Sequence, residues 1–167
     1  LADPSKGSVK GVAYGAKLIP ANFMNSVGAG TMSGAVQAVR YVASRGAKVI
    51  NASWGGYNCS ATLRQTIADV SNNGNNGKGI LFVAAAGNDG VDFDRTARYT
   101  YPAVFNFGNQ VTIAATNVSD AMANFSNRSY NLVHFAAPGV NILSTVPTMF
   151  NTGGVASLDG TSMAAPM

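Results

Sequence analysis

The sequence predicts an α/β fold with a mostly parallel central sheet, on the basis of three observations. Short strand-like stretches, two of them almost continuously apolar, alternate with two stretches whose apolar residues follow helical spacing. Turns rich in glycine and asparagine separate them. Parallel strands covered on both faces are apolar at nearly every position, and the alternation requires right-handed crossovers between them.

The chain first predicts a strand at Lys17–Asn22. A helix of about four turns follows from Met32, because its apolar residues return at every third or fourth position. Thr31 or Ser33 is the candidate cap, and Gly46 is the stop.

The next three predicted elements complete the alternation. A second strand covers Ala47–Ser53, a second helix covers Ser60–Ser71, and the run Asn72–Gly79 turns the chain back. The third strand, Ile80–Ala86, is again continuously apolar. These elements are typical of a parallel sheet with covering helices.

The sequence of the remaining residues predicts a loop and further strands. A polar loop at Val91–Pro102 precedes strands at Val111–Ala115 and Asn131–Ala136, and a hairpin-like stretch covers Val140–Val155. Without an internal repeat or a linker, residues 1–167 are expected to form one domain.

Composition restricts the function classes. With 47% hydrophobic and 11% charged residues, the chain should bury a sizeable core. The net charge of +4 comes from scattered Lys and Arg residues, which gives no support for nucleic-acid binding. The single cysteine, Cys59, excludes an internal disulfide and fits no metal-ligand spacing. The longest apolar run, Ile80–Ala86, is far too short to cross a bilayer.

The candidate nucleophile is Ser162, within Gly160-Thr161-Ser162-Met163-Ala164-Ala165-Pro166. If Thr161 caps the helix from outside, Ser162 lies in the first turn, where free backbone N–H groups favour a developing negative charge. A tightly packed helix of small residues without chemistry is the alternative. Ala164 replaces the second glycine of the α/β-hydrolase elbow, so that motif does not fit.

The heptapeptide closely resembles the nucleophile motif of the subtilisin-like serine proteases, the subtilase family. This resemblance implies a subtilisin-like three-layer sandwich and a serine endopeptidase that works through an acyl-enzyme on Ser162. It further implies peptide or protein substrates, a monomer, secretion with a signal segment outside this sequence, and no cofactor for catalysis. Structural calcium is possible in the intact enzyme, although no carboxylates cluster convincingly in the sequence.

A second motif supports the resemblance. Ala84-Ala85-Ala86-Gly87-Asn88 resembles the oxyanion-hole strand of the family, with Asn88 as the donor to the oxyanion. Taken alone, an asparagine before Asp-Gly is an ordinary turn residue.

The resemblance also implies how substrate is held. An extended peptide would add between two backbone segments, one at Gly28–Gly30 and one at Ser53–Gly55. Small walls suggest room for a large apolar side chain, with Tyr99–Pro102 behind the pocket. Met32 would border the site for a residue further upstream in the substrate, and a place in the core is its alternative. The implied substrate-binding residues are Gly28, Ala29, Gly30, Ser53, Trp54, Gly55, Ala85, Ala86, Gly87 and Thr161. Each glycine taken singly could equally belong to a plain loop.

The chain departs from the family in its catalytic residues. Subtilases need Asp, then His, then Ser, yet the segments that carry Asp and His are absent, and Leu1–Lys10 looks like the loop after the histidine helix. We therefore expect a fragment that is nearly inactive alone. The only histidine, His134, lies in a strand pattern. A non-catalytic peptide-binding module is the alternative, and an esterase-like hydrolase using His134 is a third hypothesis.

Overall fold

A computed structural model describes residues 11–13, 15–148 and 154–167, so the expected loop Leu1–Lys10 lies outside the described residues. The elements in chain order are α1 (Met32–Ser44), β1 (Val49–Ala52), α2 (Ala61–Gly77), β2 (Leu81–Ala85), a 3-10 turn (Ala103–Phe105), β3 (Gln110–Thr116), β4 (Phe135–Pro138), β5 (Ile142–Thr145), β6 (Val155–Leu158) and α3 (Thr161–Ala164).

The architecture is α/β with a four-stranded parallel sheet in the order β1-β2-β3-β4. Helices α1 and α2 pack together on one face, and α3 packs against β3 and β4. β5 and β6 form a separate antiparallel pair, with Ile142 opposite Leu158. The predicted α/β class with a parallel sheet is confirmed. All four parallel strands point their carboxyl ends to one edge, where ligands of such sheets gather.

Two clusters of buried side chains fill the space on either side of the sheet. The first joins α1 and α2 to β1 and β2, and Phe82, Leu63 and Ile67 lie at its centre with almost no exposed surface. The second, smaller cluster is rich in alanine and joins β2 and β3 to α3, whose last residue, Ala164, is buried in it. Small residues let α3 approach the sheet closely.

Capping fixes where the two long helices begin. Thr31 Oγ1 accepts from the Gly34 N–H at 3.1 Å, so Thr31 is the cap of α1. Ser60 caps α2 in the same way through the Leu63 N–H at 3.2 Å. α1 ends as predicted, with Gly46 at φ +81°.

The predicted strand at Lys17–Asn22 is wrong. This segment forms no ladder with β1, and a groove of about 870 Å³ lies between it, α1 and β1. Of this segment, the side chains of Ile19 and Ala21 pack against the first cluster, as does that of the next residue, Phe23. Val49 of β1 is 55% exposed, so β1 is not covered on both faces as its apolar sequence predicted.

Two other predicted boundaries move for identifiable reasons. The strand expected at Asn131–Ala136 begins only at Phe135, because the carboxylate of Asp94 accepts from Ser129 Oγ, Tyr130 N and Asn131 Nδ2 and holds the preceding residues in a turn. α2 is bounded at Gly77, but Gly74, Asn75 and Asn76 leave helical geometry, so the break lies within the predicted turn Asn72–Gly79.

The hairpin expected at Val140–Val155 is present as the pair β5–β6, but it extends to Leu158, because β6 only begins at Val155. Residues 149–153 lie outside the described residues. Strand Val111–Ala115 is confirmed within β3. Within the described ranges, no helix combines the length and apolarity needed to span a bilayer.

Candidate active site

The first turn of α3 is held against the carboxyl ends of β3 and β4. Gly160 N–H donates to Gly139 O at 2.8 Å, and Gly139 N–H donates to Thr116 O at 2.9 Å. A Cβ at Gly139 would lie 2.6 Å from Ala115 Cβ and 2.8 Å from Gly160 O, so only glycine permits this approach. The backbone ahead of Ser162 is thereby fixed relative to the sheet.

Ser162 faces the segment that follows β1. Its Oγ donates to Ser53 O at 3.1 Å, and Ser53 Oγ donates back to Ser162 O at 2.8 Å. Ser162 is half-buried. Because it lies in the first turn of α3, its N–H has no acceptor inside the helix and remains available to a ligand.

Thr161 does not cap α3 from outside, as its hydroxyl chemistry had suggested. It is the first residue of the helix, and Gly160 occupies the cap position without a side-chain hydrogen bond. The Thr161 hydroxyl instead accepts from the Gly87 N–H at 3.0 Å and donates to Asn88 Oδ1 at 2.9 Å. The prediction that Thr161 caps α3 is wrong, because its fully buried hydroxyl forms hydrogen bonds with a distant segment and not with its own helix.

The amide of Asn88 is oriented by these contacts. Thr161 N–H also donates to Asn88 Oδ1 at 2.9 Å, so the oxygen is turned toward α3. Asn88 Nδ2 lies 3.4 Å from the position of a Cβ built on Gly160. The nitrogen, which can only donate, is therefore next to the residues that lead into Ser162.

A cavity of about 270 Å³ joins these groups, and Ser162 and Asn88 both line it. Of the predicted substrate-binding residues, five line the cavity: Trp54, Gly55, Ala85, Gly87 and Thr161. Ser53 contacts Ser162 through its hydrogen bonds, and Ala86 is fully buried behind the wall. From the Tyr99–Pro102 segment, Thr100 lines the cavity. Met32 is 38% exposed and is not among the lining residues.

The predicted Gly28–Gly30 segment lies elsewhere. Asn25 Oδ1 accepts from the Val27 and Ala29 N–H groups, and Asn25 N–H donates to Ala29 O, so these residues form an exposed turn before α1. Both backbone polar groups of Ala29 are engaged within the turn. The role of this segment in substrate binding stays a prediction.

Sequence reasoning missed a charged group at the rim of the cavity. Tyr57 and Asp89 line the cavity, and Tyr57 OH donates to Asp89 Oδ1 at 2.6 Å. Arg98 NH2 lies 3.6 Å from the same oxygen, and its guanidinium lies 5.5 Å from the centre of the Tyr57 ring. Nothing in the sequence signalled this contact, because Tyr57 follows β1 whereas Asp89 and Arg98 belong to the long segment after β2.

Sequence reasoning also missed Asn127, which is fully buried. Its Oδ1 accepts from the Asp89 and Val91 N–H groups, and its Nδ2 donates to Ala86 O and Thr100 Oγ1. Asn127 therefore contacts both sides of the loop that carries Asn88. Its only sequence signal was an asparagine in a segment of small polar residues.

His134 is engaged away from the cavity. Its Nδ1 accepts from the Thr112 N–H at 3.0 Å, which makes Nε2 the protonated nitrogen, and Nε2 is 3.1 Å from Asn106 Oδ1. His134 is not among the residues that line the cavity. These contacts give it a part in joining β3 to the segment before β4.

Two carboxylates of the described ranges, Asp92 and Asp94, are engaged by neighbouring groups. Asp92 pairs with Arg95 and Arg128, and Asp94 is occupied by hydrogen-bond donors. Across the part of the chain that the structure describes, no three His, Cys, Asp or Glu side chains are placed to hold a metal ion.

Comparisons with known proteins identify the family of this chain. The family model described as the subtilase family matches residues 1–167. The chain is 35% identical over 158 residues to Subtilisin Savinase of Lederbergia lenta, covering 95% of this chain and 52% of that protein. It is 31% identical over 166 residues to the Major intracellular serine protease of Bacillus subtilis (strain 168), covering 99% and 48%.

Among solved structures, the chain is similar to a cold adapted subtilisin-like serine proteinase, with a TM-score of 0.66 and 32% identity. That similarity covers 86% of this chain and 47% of the other. The chain thus spans about half the length of the relatives that it matches.

Proposed function

This chain belongs to the subtilase family of serine peptidases, and from that premise we propose that it supplies the nucleophile and the oxyanion hole of a serine endopeptidase. The observation that carries the proposal is the hydrogen-bonded connection of Thr161 to Asn88, beside Ser162 and at the edge of one cavity. Peptides and proteins are the proposed substrates, and a monomer is the proposed state.

Ser162 Oγ forms the bond to the scissile carbonyl carbon while its proton passes to a general base. The carbonyl oxygen becomes the oxyanion. The tetrahedral intermediate then expels the amine, which takes the proton, and leaves an acyl ester on Ser162 that water hydrolyses. Attack requires Oγ to leave its present acceptor, Ser53 O, which lies 3.1 Å away.

Asn88 Nδ2 and the Ser162 N–H are the proposed donors to the oxyanion. Both hydrogen bonds that Asn88 Oδ1 accepts from Thr161 oppose a flip of the amide, which would direct an oxygen at the negative charge. Donors fixed before the reaction need no reorganisation when charge develops. Loss of one such donor lowers kcat by about 10²–10³, a magnitude established on subtilisin, a member of the same family.

The general base of the proposed mechanism comes from outside these 167 residues. The sequence has one histidine, and both ring nitrogens of His134 are engaged with Thr112 and Asn106. A serine hydroxyl without an adjacent base is a weak nucleophile. We therefore expect the isolated chain to be nearly inactive.

The cavity beside Ser162 would take the side chain that precedes the cleaved bond. Gly55, Ala85 and Gly87 contribute walls without bulk, and the cavity of about 270 Å³ suits a large apolar side chain. Thr100 lines the same cavity, so its side chain would lie beside the bound side chain. The neighbouring backbone of Ser53 would hold the substrate main chain.

Labelling by a serine-directed fluorophosphonate tests the proposal in the full-length protein. We expect labelling and peptide hydrolysis in the parent and loss of both in Ser162→Ala, while Ser157→Ala on β6 keeps both. Hydrolysis that survives Ser162→Ala would overturn the proposal. Peptide binding without labelling of the parent would favour the non-catalytic peptide-binding module.

Secretion is proposed from the resemblance to the family alone. One relative is named an intracellular serine protease, so family membership leaves the compartment undecided. Fractionation of the source cells, with detection of the protein in the medium, tests it.

A further inference from the structure

Asn127 forms a buried bridge across the loop that carries Asn88. On the amino side of Asn88, Nδ2 of Asn127 donates to Ala86 O at 3.0 Å. On the carboxyl side, Oδ1 accepts from the Asp89 N–H at 3.0 Å and the Val91 N–H at 2.9 Å. One rigid amide thus holds both ends of a short backbone segment whose centre is Asn88.

The backbone around Asn127 strengthens this bridge. Asn127 N–H donates to Gly87 O at 2.9 Å, and Arg128 N–H donates to Val91 O at 2.9 Å. Gly87 has φ +103°, and a Cβ there would lie 2.4 Å from Asn127 Nδ2. The amide therefore occupies space that only a glycine leaves open, and the two residues determine the path of the loop together.

The same amide reaches the substrate cavity. Its Nδ2 lies 3.3 Å from Thr100 Oγ1, and Thr100 lines the cavity. Asn127 itself does not line the cavity and is fully buried, so it touches neither the substrate nor the reacting atoms. Any influence on catalysis must act through Asn88 and its neighbours.

We propose that Asn127 is a positioning residue, which holds the backbone on both sides of Asn88 so that its amide points at the oxyanion. The proposal rests on the function proposed above. Thr161 fixes the rotation of the Asn88 side chain, and Asn127 fixes the peptide from which that side chain extends. Displacement of catalytic groups by about 1 Å lowers rates by about 10²-fold.

The chain offers a matched control at the opposite edge of the sheet. Asn109 precedes β3, and its Nδ2 donates to Ser71 O at 2.6 Å. It also lies 2.5 Å from the position of a Cβ on Gly79, a glycine with φ +78°. Asn109 and Asn127 are therefore two asparagines that each bridge a glycine turn, and only one of the turns carries Asn88.

The test compares Asn127→Ala with Asn109→Ala in the full-length protein. We expect Asn127→Ala to lower kcat by about 10–100-fold with KM changed less than about threefold, because oxyanion stabilisation acts only in the transition state. Asn109→Ala should keep kcat within about twofold and lose less thermal stability, because Asn109 is exposed and its side chain donates only to Ser71 O. Equal losses of kcat in the two variants, or an unchanged kcat in Asn127→Ala, would overturn the proposal.

A double-mutant cycle separates positioning from a general structural role. In an Asn88→Ala background, Asn127→Ala should lower kcat less than about threefold, since the group that it positions is already gone. Additive losses would contradict the proposal. If Asn127→Ala does not fold, the same kcat comparisons are made with Asn127→Asp. This variant keeps the acceptor for Asp89 N–H and loses the donor to Ala86 O.

Ser162→Ala separates the two proposals. Hydrolysis that survives Ser162→Ala overturns the proposed function itself. Hydrolysis that is lost in Ser162→Ala but keeps its kcat in Asn127→Ala and Asn127→Asp overturns only the positioning role.

Discussion

Asn88 Oδ1 accepts two hydrogen bonds from Thr161, one from its backbone N–H and one from its hydroxyl, each at 2.9 Å. The residues are 73 positions apart in the chain. One comes from the carboxyl end of β2 and the other from the first turn of α3, so the pair joins the sheet to the helix that carries Ser162. An exposed amide is thereby given one orientation by a buried threonine.

Thr161→Val tests this relationship because it keeps the branched shape and removes the hydroxyl. The Gly87 N–H then loses its acceptor and Asn88 Oδ1 loses one donor. We expect kcat to fall by about 10-fold or more. This loss should be smaller than the loss caused by removing an oxyanion donor completely. Steady-state kinetics of the full-length protein measure it, and Thr161→Ser, which retains a hydroxyl, should recover most of the activity.

Gly87→Ala should damage both stability and activity. Its φ is +103° and the added Cβ would meet Asn127 Nδ2 at 2.4 Å, so we expect a loss of about 1–3 kcal/mol in the free energy of unfolding. Gly108→Ala is the control, since a Cβ there meets nothing within 4 Å. Denaturant unfolding of both variants measures the difference, and equal stabilities would show that the loop can shift.

The position of Met163 beside Ser162 predicts that peroxide lowers the activity of the enzyme. Its side chain is half-buried next to Ser162, and its Sδ lies 3.4 Å from the position of a Cβ on Gly160. Oxidation to the sulfoxide adds a polar oxygen there, so activity should fall as the sulfoxide forms. Mass spectrometry and hydrolysis assays at matched times test this, with Met163→Leu expected to resist. Activity that persists after complete oxidation of Met163 would place its side chain away from the reacting groups.

Substitutions of His134 test the third hypothesis, an esterase-like hydrolase, against the proposed mechanism. His134→Leu removes the acceptor of the Thr112 N–H and should cost about 1 kcal/mol in the free energy of unfolding. His134→Asn keeps an acceptor and should cost less. Neither variant should change kcat for peptide or ester substrates, because His134 lies outside the cavity lining. Loss of ester hydrolysis in both would instead make His134 the base.

The hydrogen bonds to the Asp94 carboxylate predict that the stability of the protein depends on pH. The Tyr130 N–H and the Asn131 and Ser129 side chains donate to its charged carboxylate and hold the pKa of Asp94 below the ordinary value. Because folding lowers this pKa, the stabilisation is complete above the unfolded pKa of about 3.9 and is lost as pH falls through the folded value. Asp94→Asn should therefore be less stable than the parent at pH 7.

The difference between Asp94→Asn and the parent should shrink as the pH falls below about 4. Urea unfolding midpoints at several pH values measure it. Asp69→Asn, on the exposed side of α2, is the control and should show a smaller difference at pH 7. A constant gap between Asp94→Asn and the parent at every pH would contradict the proposed charge effect.

The local sequence pattern was sufficient to predict an element where its structure depends on residues that are near in the chain. The periodicity after Met32 and the cap at Thr31 gave α1, and the apolar run before Gly87 gave β2. Lys17–Asn22 failed because an isolated stretch becomes a strand only when a partner backbone accepts its hydrogen bonds, and β1 lies across a groove.

The sequence by itself determined the α/β class, the family and the identity of Ser162 and Asn88 as candidates, because these follow from short motifs and from periodicity along the chain. Only the tertiary structure decided how the two are held. It turned the Thr161 hydroxyl from a helix cap into a ligand of Asn88, and it brought Asn127 beneath the loop. Such contacts join segments tens of residues apart, and the direction of a buried hydrogen bond is set by the packed fold around it.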